Sequence, residues 1–382
     1  MSPSATPPSP PAPSATQCHA IAPAVVLRGP RAWSEALEPI GRLCRRPLLL
    51  GRSAATAALR AELLADLRAA GLEPIAAELR FDCCEEDLQA LAAMARAAGC
   101  DGVIASGGGK VLDAGKLLAH RLQLRCITVP TSAATCAGWT ALANIYSPEG
   151  AFQGDVGLAS CPDLLVFDHT LVRQAPERTL ASGIADAMAK WYEASVSSGS
   201  SRDGLVQQAV QQARVLRDQL LLEGLEALAD PGGEAWIRVA EASALTAGLI
   251  GGIGGARCRT VAAHAVHNGL TQLQASHGAL HGEKVGFGIL VQLRLEEVLG
   301  GNQLAAQARR QLLPFFQSLK LPVTLAELGL ASASLQELQQ ACSFACRPGS
   351  DLHHLPFAVD PADLLAALVS TCAAIPTASP HS

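Results

Sequence analysis

The stretch VIASGGGKVLDAGK, residues 103–116, constrains the fold of this chain more than any other. An apolar strand signal runs directly into Gly107, Gly108 and Gly109, and a helical register follows at once. A strand that passes straight into a helix is half of a βαβ unit, and such units build a parallel sheet covered by helices. The flanking sequence repeats the alternation. RPLLLG (46–51) predicts a buried strand and SAATAALRAELLADLRAAG an amphipathic helix stopped at Gly71. LEPIAAEL predicts a second strand, and EEDLQALAAMARAAG a helix ending at Gly99. The helix after the glycines runs to about His120, and LRCITVP makes another strand.

After Asp168 the texture changes to long Ala/Leu/Gln-rich stretches such as DGLVQQAVQQARVLRDQLLLEGLEALA (203–229), which carry helical period and few strand signals. A chain of 382 residues exceeds one ordinary core, so two domains are expected. The expected organisation is a proline- and serine-rich disordered tail at 1–20, an α/β domain with a parallel sheet at 21–165, and an all-α domain at 166–382. There is no internal repeat.

The formal charge of −5, with no basic stripe, argues against nucleic acid as a partner. The longest apolar run, 242–256, is too short and too glycine-rich to span a bilayer. The start of the chain lacks the positive and apolar segments of a secretory signal. Twelve scattered cysteines without a CxxC pair read as reduced thiols in a cytoplasmic protein. Cys342 and Cys346, one helical turn apart, read as core packing.

Four stretches carry chemistry. Without Cβ atoms, Gly107, Gly108 and Gly109 let backbone N–H groups approach an anion at a helix N-terminus, which suits a pyrophosphate. The pattern is neither a Walker A loop nor GxGxxG, and a plain tight turn reads equally well. In TVPTSAATCAGWTALANIY (128–146), Thr131, Ser132 and Thr135 offer hydroxyls at the carboxyl edge of the sheet, as would a simple polar turn. LASGIADAMAKWYEA (180–194) sets Asp186 among apolar residues, as an N-cap after Gly183 or as a carboxylate that needs a counter-charge. AAHAVHNGLTQLQASHGALHGEK (262–284) holds four of the ten histidines, His264, His267, His277 and His281. Singly each is most simply structural; clustered, imidazoles are natural metal ligands.

Together GGGKVLDAGK, PTSAATCAGWTALANIYSPEGAF, CPDLLVFD, GIADAMAKWYEA and AHAVHNGL…HGEKVGFG resemble the iron-containing alcohol dehydrogenase superfamily, most of all its glycerol dehydrogenases, over roughly residues 45–300. The resemblance implies a nucleotide-binding domain, a helical domain and a cleft between them. It implies a nicotinamide cofactor, NAD or NADP, and one divalent metal, zinc rather than iron. The metal ligands would be Asp186, His264 and His281, with His267 beside the reacting carbon as a proton relay and His277 at a helix end or loop. Gly107, Gly108, Gly109, Lys110 and Val111 would form the cofactor loop with Asp113 beneath, and Thr131, Ser132, Thr135, Thr140, Leu142 and Tyr146 further contacts.

Two departures from that family stand out. Glycerol dehydrogenases carry a substrate-holding aspartate where this chain has Cys136, which puts glycerol itself in doubt. NAD-dependent members have an aspartate after the first strand where this chain has Gly51 and Arg52, so Arg52 is a candidate partner for a 2′-phosphate. The expected activity is hydride transfer between the nicotinamide and a small alcohol, polyol or carbonyl, in a homo-oligomer. The alternative is a lyase of the sugar-phosphate cyclase type, which shares fold and cofactors. Asp186 argues against it, although Arg257 and Arg259 leave a role for an anionic substrate open.

Overall fold

The computed structural model describes residues 18–370, so most of the expected tail at 1–20 lies outside the described residues. Eight strands are present: β1 (Val25–Gly29), β2 (Pro47–Gly51), β3 (Ile75–Glu78), β4 (Gly102–Gly107), β5 (Arg125–Pro130), β6 (Leu142–Tyr146), β7 (Phe152–Gly157) and β8 (Leu164–Asp168). Six form one sheet in the order β1-β8-β5-β4-β2-β3, every pairing parallel. The strands predicted at 46–51, 72–79, 101–106 and 124–130 are β2, β3, β4 and β5.

Period-two alternation sorts the sheet's side chains into two layers. Leu48, Leu50 and Val103 pack with Leu117 and Leu118 on one face. Leu49, Ile104, Ile127 and Val129 pack with Trp33, Ile40, Leu63 and Leu67 on the other. Both faces are covered, which is why PLLLG and GVIASG are buried throughout.

The order of connection reverses between β2 and β4, where a crevice opens at the carboxyl ends of the strands. Gly107 stands opposite Pro130 in the β4–β5 register, so the glycine loop and the Thr131 loop leave the sheet side by side. Thr131 N donates to Gly107 O at 3.1 Å and ties them together.

Two features depart from the sequence reading. β6 and β7 form a separate antiparallel hairpin, where only a hydroxyl-bearing loop was expected. β8 completes the sheet by pairing with β1 and β5 and runs to Asp168, across the boundary drawn at 165. From His169 onward every regular element among the described residues is helical. Among those residues no helix is long and apolar enough to cross a membrane, and every cysteine is free.

Candidate active site

Three helices deliver the candidate ligands. Asp186 lies on Glu177–Ser198, His264 on Ala262–Leu270, and His281 opens His281–Val298. Their ligand atoms all lie within 4.8 Å of one another. His264 Nε2 is 3.3 Å and His281 Nε2 3.2 Å from Asp186 Oδ1. Two glycines permit the convergence. A Cβ on Gly183 would lie 1.9 Å from Ala133 O in the loop after β5, and one on Gly282 would lie 1.9 Å from Ser182 O. The Asp186 helix is thus clamped between the loop after β5 and the His281 helix, with Gly282 N donating to Ser182 Oγ at 3.1 Å.

Behind each imidazole stands a hydrogen-bond partner. Glu193, fully buried, holds His264 Nδ1 at 2.6 Å and also accepts from the backbone N–H of Val261 and His264. His281 Nδ1 lies 3.0 Å from His267 Nε2, and His267 Nδ1 lies 2.9 Å from Asn268 Oδ1. Asn268 Oδ1 and Glu193 accept from Nδ1 of His267 and of His264, and Nε2 of His264 and of His281 is turned toward Asp186.

The electrostatics favour positive charge there. Burial acts to lower the His264 pKa, but the Glu193 charge and the hydrogen bonds that Asp186 and Glu193 accept from the ring outweigh it and push it up to about 9. Burial acts to raise the Asp186 pKa, but the charge of His281 and hydrogen bonds from both histidines hold it well below the usual carboxylate range. Burial, then the charge of His281, drives His267 well below the ordinary imidazole value, so His267 is neutral. Two imidazole nitrogens and one carboxylate in a field that welcomes a cation fit a divalent metal with an open position.

The three candidate ligands line a cavity of about 520 Å³ that also reaches the glycine loop. Gly107, Gly108, Gly109, Lys110, Val111, Asp113, Thr131, Ser132, Thr135, Thr140, Leu142, Tyr146, Arg52 and Cys136 are all on its wall. His267 is not. It is 3% exposed, with Nδ1 beside Asn268 Oδ1 and Nε2 beside His281 Nδ1, which puts it behind His281. His277 lies in the short helix Gln274–Gly278, with Nε2 2.8 Å from Thr271 O.

At the glycine loop, Gly108 precedes the helix Gly109–Leu122, and its first turn lines the cavity. Asp113 pairs with Lys116 at 3.0 Å and accepts from Asn144 N at 3.2 Å. Lys116 also donates to Thr140 O at 3.0 Å and Thr140 Oγ1 at 3.1 Å, so this buried pair fastens the β6–β7 hairpin to the helix after the glycine loop. Arg52 and Lys110 both bond the Asp82 carboxylate, which is itself buried.

Sequence reasoning missed Asp82, Glu193 and Asn268. Glu193 was detectable in principle, since it lies two turns from Asp186 on the same helix face. Asp82 was not, because it meets Arg52 and Lys110 only through the β3-β2-β4 order.

The "Iron-containing alcohol dehydrogenase" family matches residues 23–169 of this chain. The chain is 55% identical to an uncharacterised oxidoreductase of Synechocystis over 92% of its length and 91% of that protein. It is 37% identical to hydroxycarboxylate dehydrogenase A of Escherichia coli over 75% of its length and 79% of that protein. It is 34% identical to a glycerol dehydrogenase of Pseudomonas putida over 79% of its length and 83% of that protein. Among solved structures it is similar to a probable glycerol dehydrogenase of Sinorhizobium meliloti, with a TM-score of 0.83 and 27% identity, covering 93% of this chain and 98% of that one.

Proposed function

The chain belongs to the iron-containing alcohol dehydrogenase family, and from that premise we propose a metal-dependent oxidoreductase of the glycerol dehydrogenase type, acting on small alcohols, polyols and carbonyls. The observation that carries the reading is the convergence of Asp186, His264 and His281 on one cavity with the Gly107–Val111 loop. A divalent cation held by those three donors would polarise the oxygen of a bound alcohol or carbonyl. A nicotinamide dinucleotide would exchange the hydride.

The chain's own residues supply position and surroundings. Backbone N–H groups at the start of Gly109–Leu122 would hold the pyrophosphate. The hydroxyls of Thr131, Ser132, Thr135 and Thr140 would bond the phosphates and riboses, with Leu142 and Tyr146 against them. Cys136 would face the substrate as a neutral thiol, since burial raises its pKa. His267 would act through His281, fixing its ring, rather than as a proton relay.

Zinc is proposed over iron, because two histidines, one carboxylate and an open position suit zinc Lewis-acid chemistry and hydride transfer needs no redox-active metal. NADP(H) is proposed to serve at least as well as NAD(H), since Arg52 lies on the cavity wall with no aspartate after β2. The Asp82 pairing tempers that preference. A cytoplasmic homo-oligomer is proposed, supported by the free thiols and by exposed Val215 and Leu222 on the helix Gly204–Ala229. The lyase alternative is not favoured, because the named relatives are oxidoreductases and the first candidate ligand is an aspartate. Turnover of a panel of alcohols, diols and hydroxyketones with both cofactors tests the reading, and absence of any nicotinamide-linked turnover by metal-loaded protein would refute it.

A further inference from the structure

Among the described residues, four cationic side chains other than histidine line the cavity: Arg52, Lys110, Lys190 and Arg259. Arg52 and Lys110 share Asp82. Lys190, one helical turn beyond Asp186 and 4% exposed, points its ammonium at Arg259 O, 3.1 Å away. The Arg259 guanidinium alone has no hydrogen-bond or ion-pair partner among the described residues, although it is partly buried. A guanidinium is weakly hydrated and planar, and its fork matches a carboxylate.

The backbone at Arg259 is fastened to the helix that carries Asp186. Lys190 grips its carbonyl, and Glu193 grips the N–H of Val261 and of His264 at 2.6 and 3.0 Å. The same helix that carries Asp186 therefore straps down the segment from Arg259 to His264. Gly251 leaves room for the methylene stem of Arg259, since a Cβ there would lie 2.7 Å from Arg259 Cγ.

The acids on the cavity wall do not answer this charge. Asp113 is paired with Lys116, and Asp186 with His264 and His281. Asp155 and Asp351 act on Arg347 instead, and Asp351 lies 3.6 Å from His354 Nδ1.

We infer that the substrate carries a carboxylate next to its reacting carbon, as in a small 2-hydroxy acid and the 2-oxo acid it becomes, and that Arg259 holds that carboxylate. The inference rests on the dehydrogenase reading above and narrows its substrate class. Oxidation takes a hydride from C2 to the nicotinamide and a proton from the hydroxyl to solvent, leaving a C=O bond. The carboxylate is unchanged throughout, so its cation can be fixed in place.

The test compares 2-hydroxybutyrate with 1,2-butanediol, which differ in the carboxylate, using metal-loaded protein with each nicotinamide cofactor. The expected kcat/KM favours the acid by at least about tenfold, and Arg259→Gln lowers the acid-to-diol ratio by at least about tenfold, with Arg259→Lys intermediate. Calorimetry of 2-oxobutyrate and of 1-hydroxy-2-butanone, each with oxidised cofactor, gives a readout free of turnover. Arg259→Gln should weaken the oxo acid by at least about tenfold and more than the hydroxyketone. An acid no better than the diol, an equal loss for both ligands, or a loss confined to the nicotinamide would each overturn the inference. Failure of every alcohol to turn over would refute the dehydrogenase reading, and the calorimetric comparison still decides this one.

Discussion

His281 Nδ1 lies 3.0 Å from His267 Nε2, and that contact gives His267 a place behind a candidate ligand rather than on the cavity wall. Groups in this position orient metal-binding imidazoles and are worth roughly 10–100-fold in metal affinity. His267→Leu should weaken metal by that factor in a competitive chelator titration. His267→Gln, which keeps an acceptor, should lose less. A His267→Leu protein that holds metal like the parent but loses kcat would return His267 to the role of a proton relay.

Gly183 is where the Asp186 helix meets the loop after β5, with a hypothetical Cβ 1.9 Å from Ala133 O. Gly183→Ala should cost roughly 1–3 kcal/mol as backbone is forced apart, seen as a lower Tm. Gly204→Ala, at a helix start with open space around it, should leave Tm nearly unchanged. Equal Tm values for the two variants would show that the close approach does not constrain this junction.

Much of the sheet was legible because strand and helix periods alternate cleanly between 46 and 130. β8 was not, since its partners lie far away in sequence, with Val25 opposite Leu164. The candidate ligands were proposed only as joint matches to a family pattern; His281 and Asp186 are 95 residues apart, and no spacing rule links them. His264 and His267 share a helix face, and which one meets the cavity is set by how His281–Val298 packs across them. Local sequence does not carry that choice.

Cys136 lines the cavity with its thiol held neutral, a weak hydrogen-bonding group for a substrate hydroxyl. Cys136→Asp should raise activity on glycerol relative to simple alcohols, read as the ratio of kcat/KM values. An unchanged ratio would remove Cys136 from substrate selection.

Arg52 and Lys110 divide one carboxylate, Asp82, at the glycine-loop end of the cavity. Asp82→Asn should free both cations and shift the kcat/KM ratio toward NADP(H), whereas Arg52→Ala should shift it toward NAD(H). A parent preference for NAD(H) of about tenfold or more, ~1.4 kcal/mol, that Arg52→Ala leaves unchanged would contradict a phosphate-binding role for Arg52.

The most direct test of the central claim is the metal content of purified protein, measured alongside nicotinamide-linked turnover in the parent chain and in Asp186→Asn and His264→Ala. The account predicts about one divalent ion per parent chain, loss of metal and turnover together in both variants, and turnover abolished by chelation and restored by zinc. Variants that keep stoichiometric metal, or a chelated parent that still turns over, would contradict it.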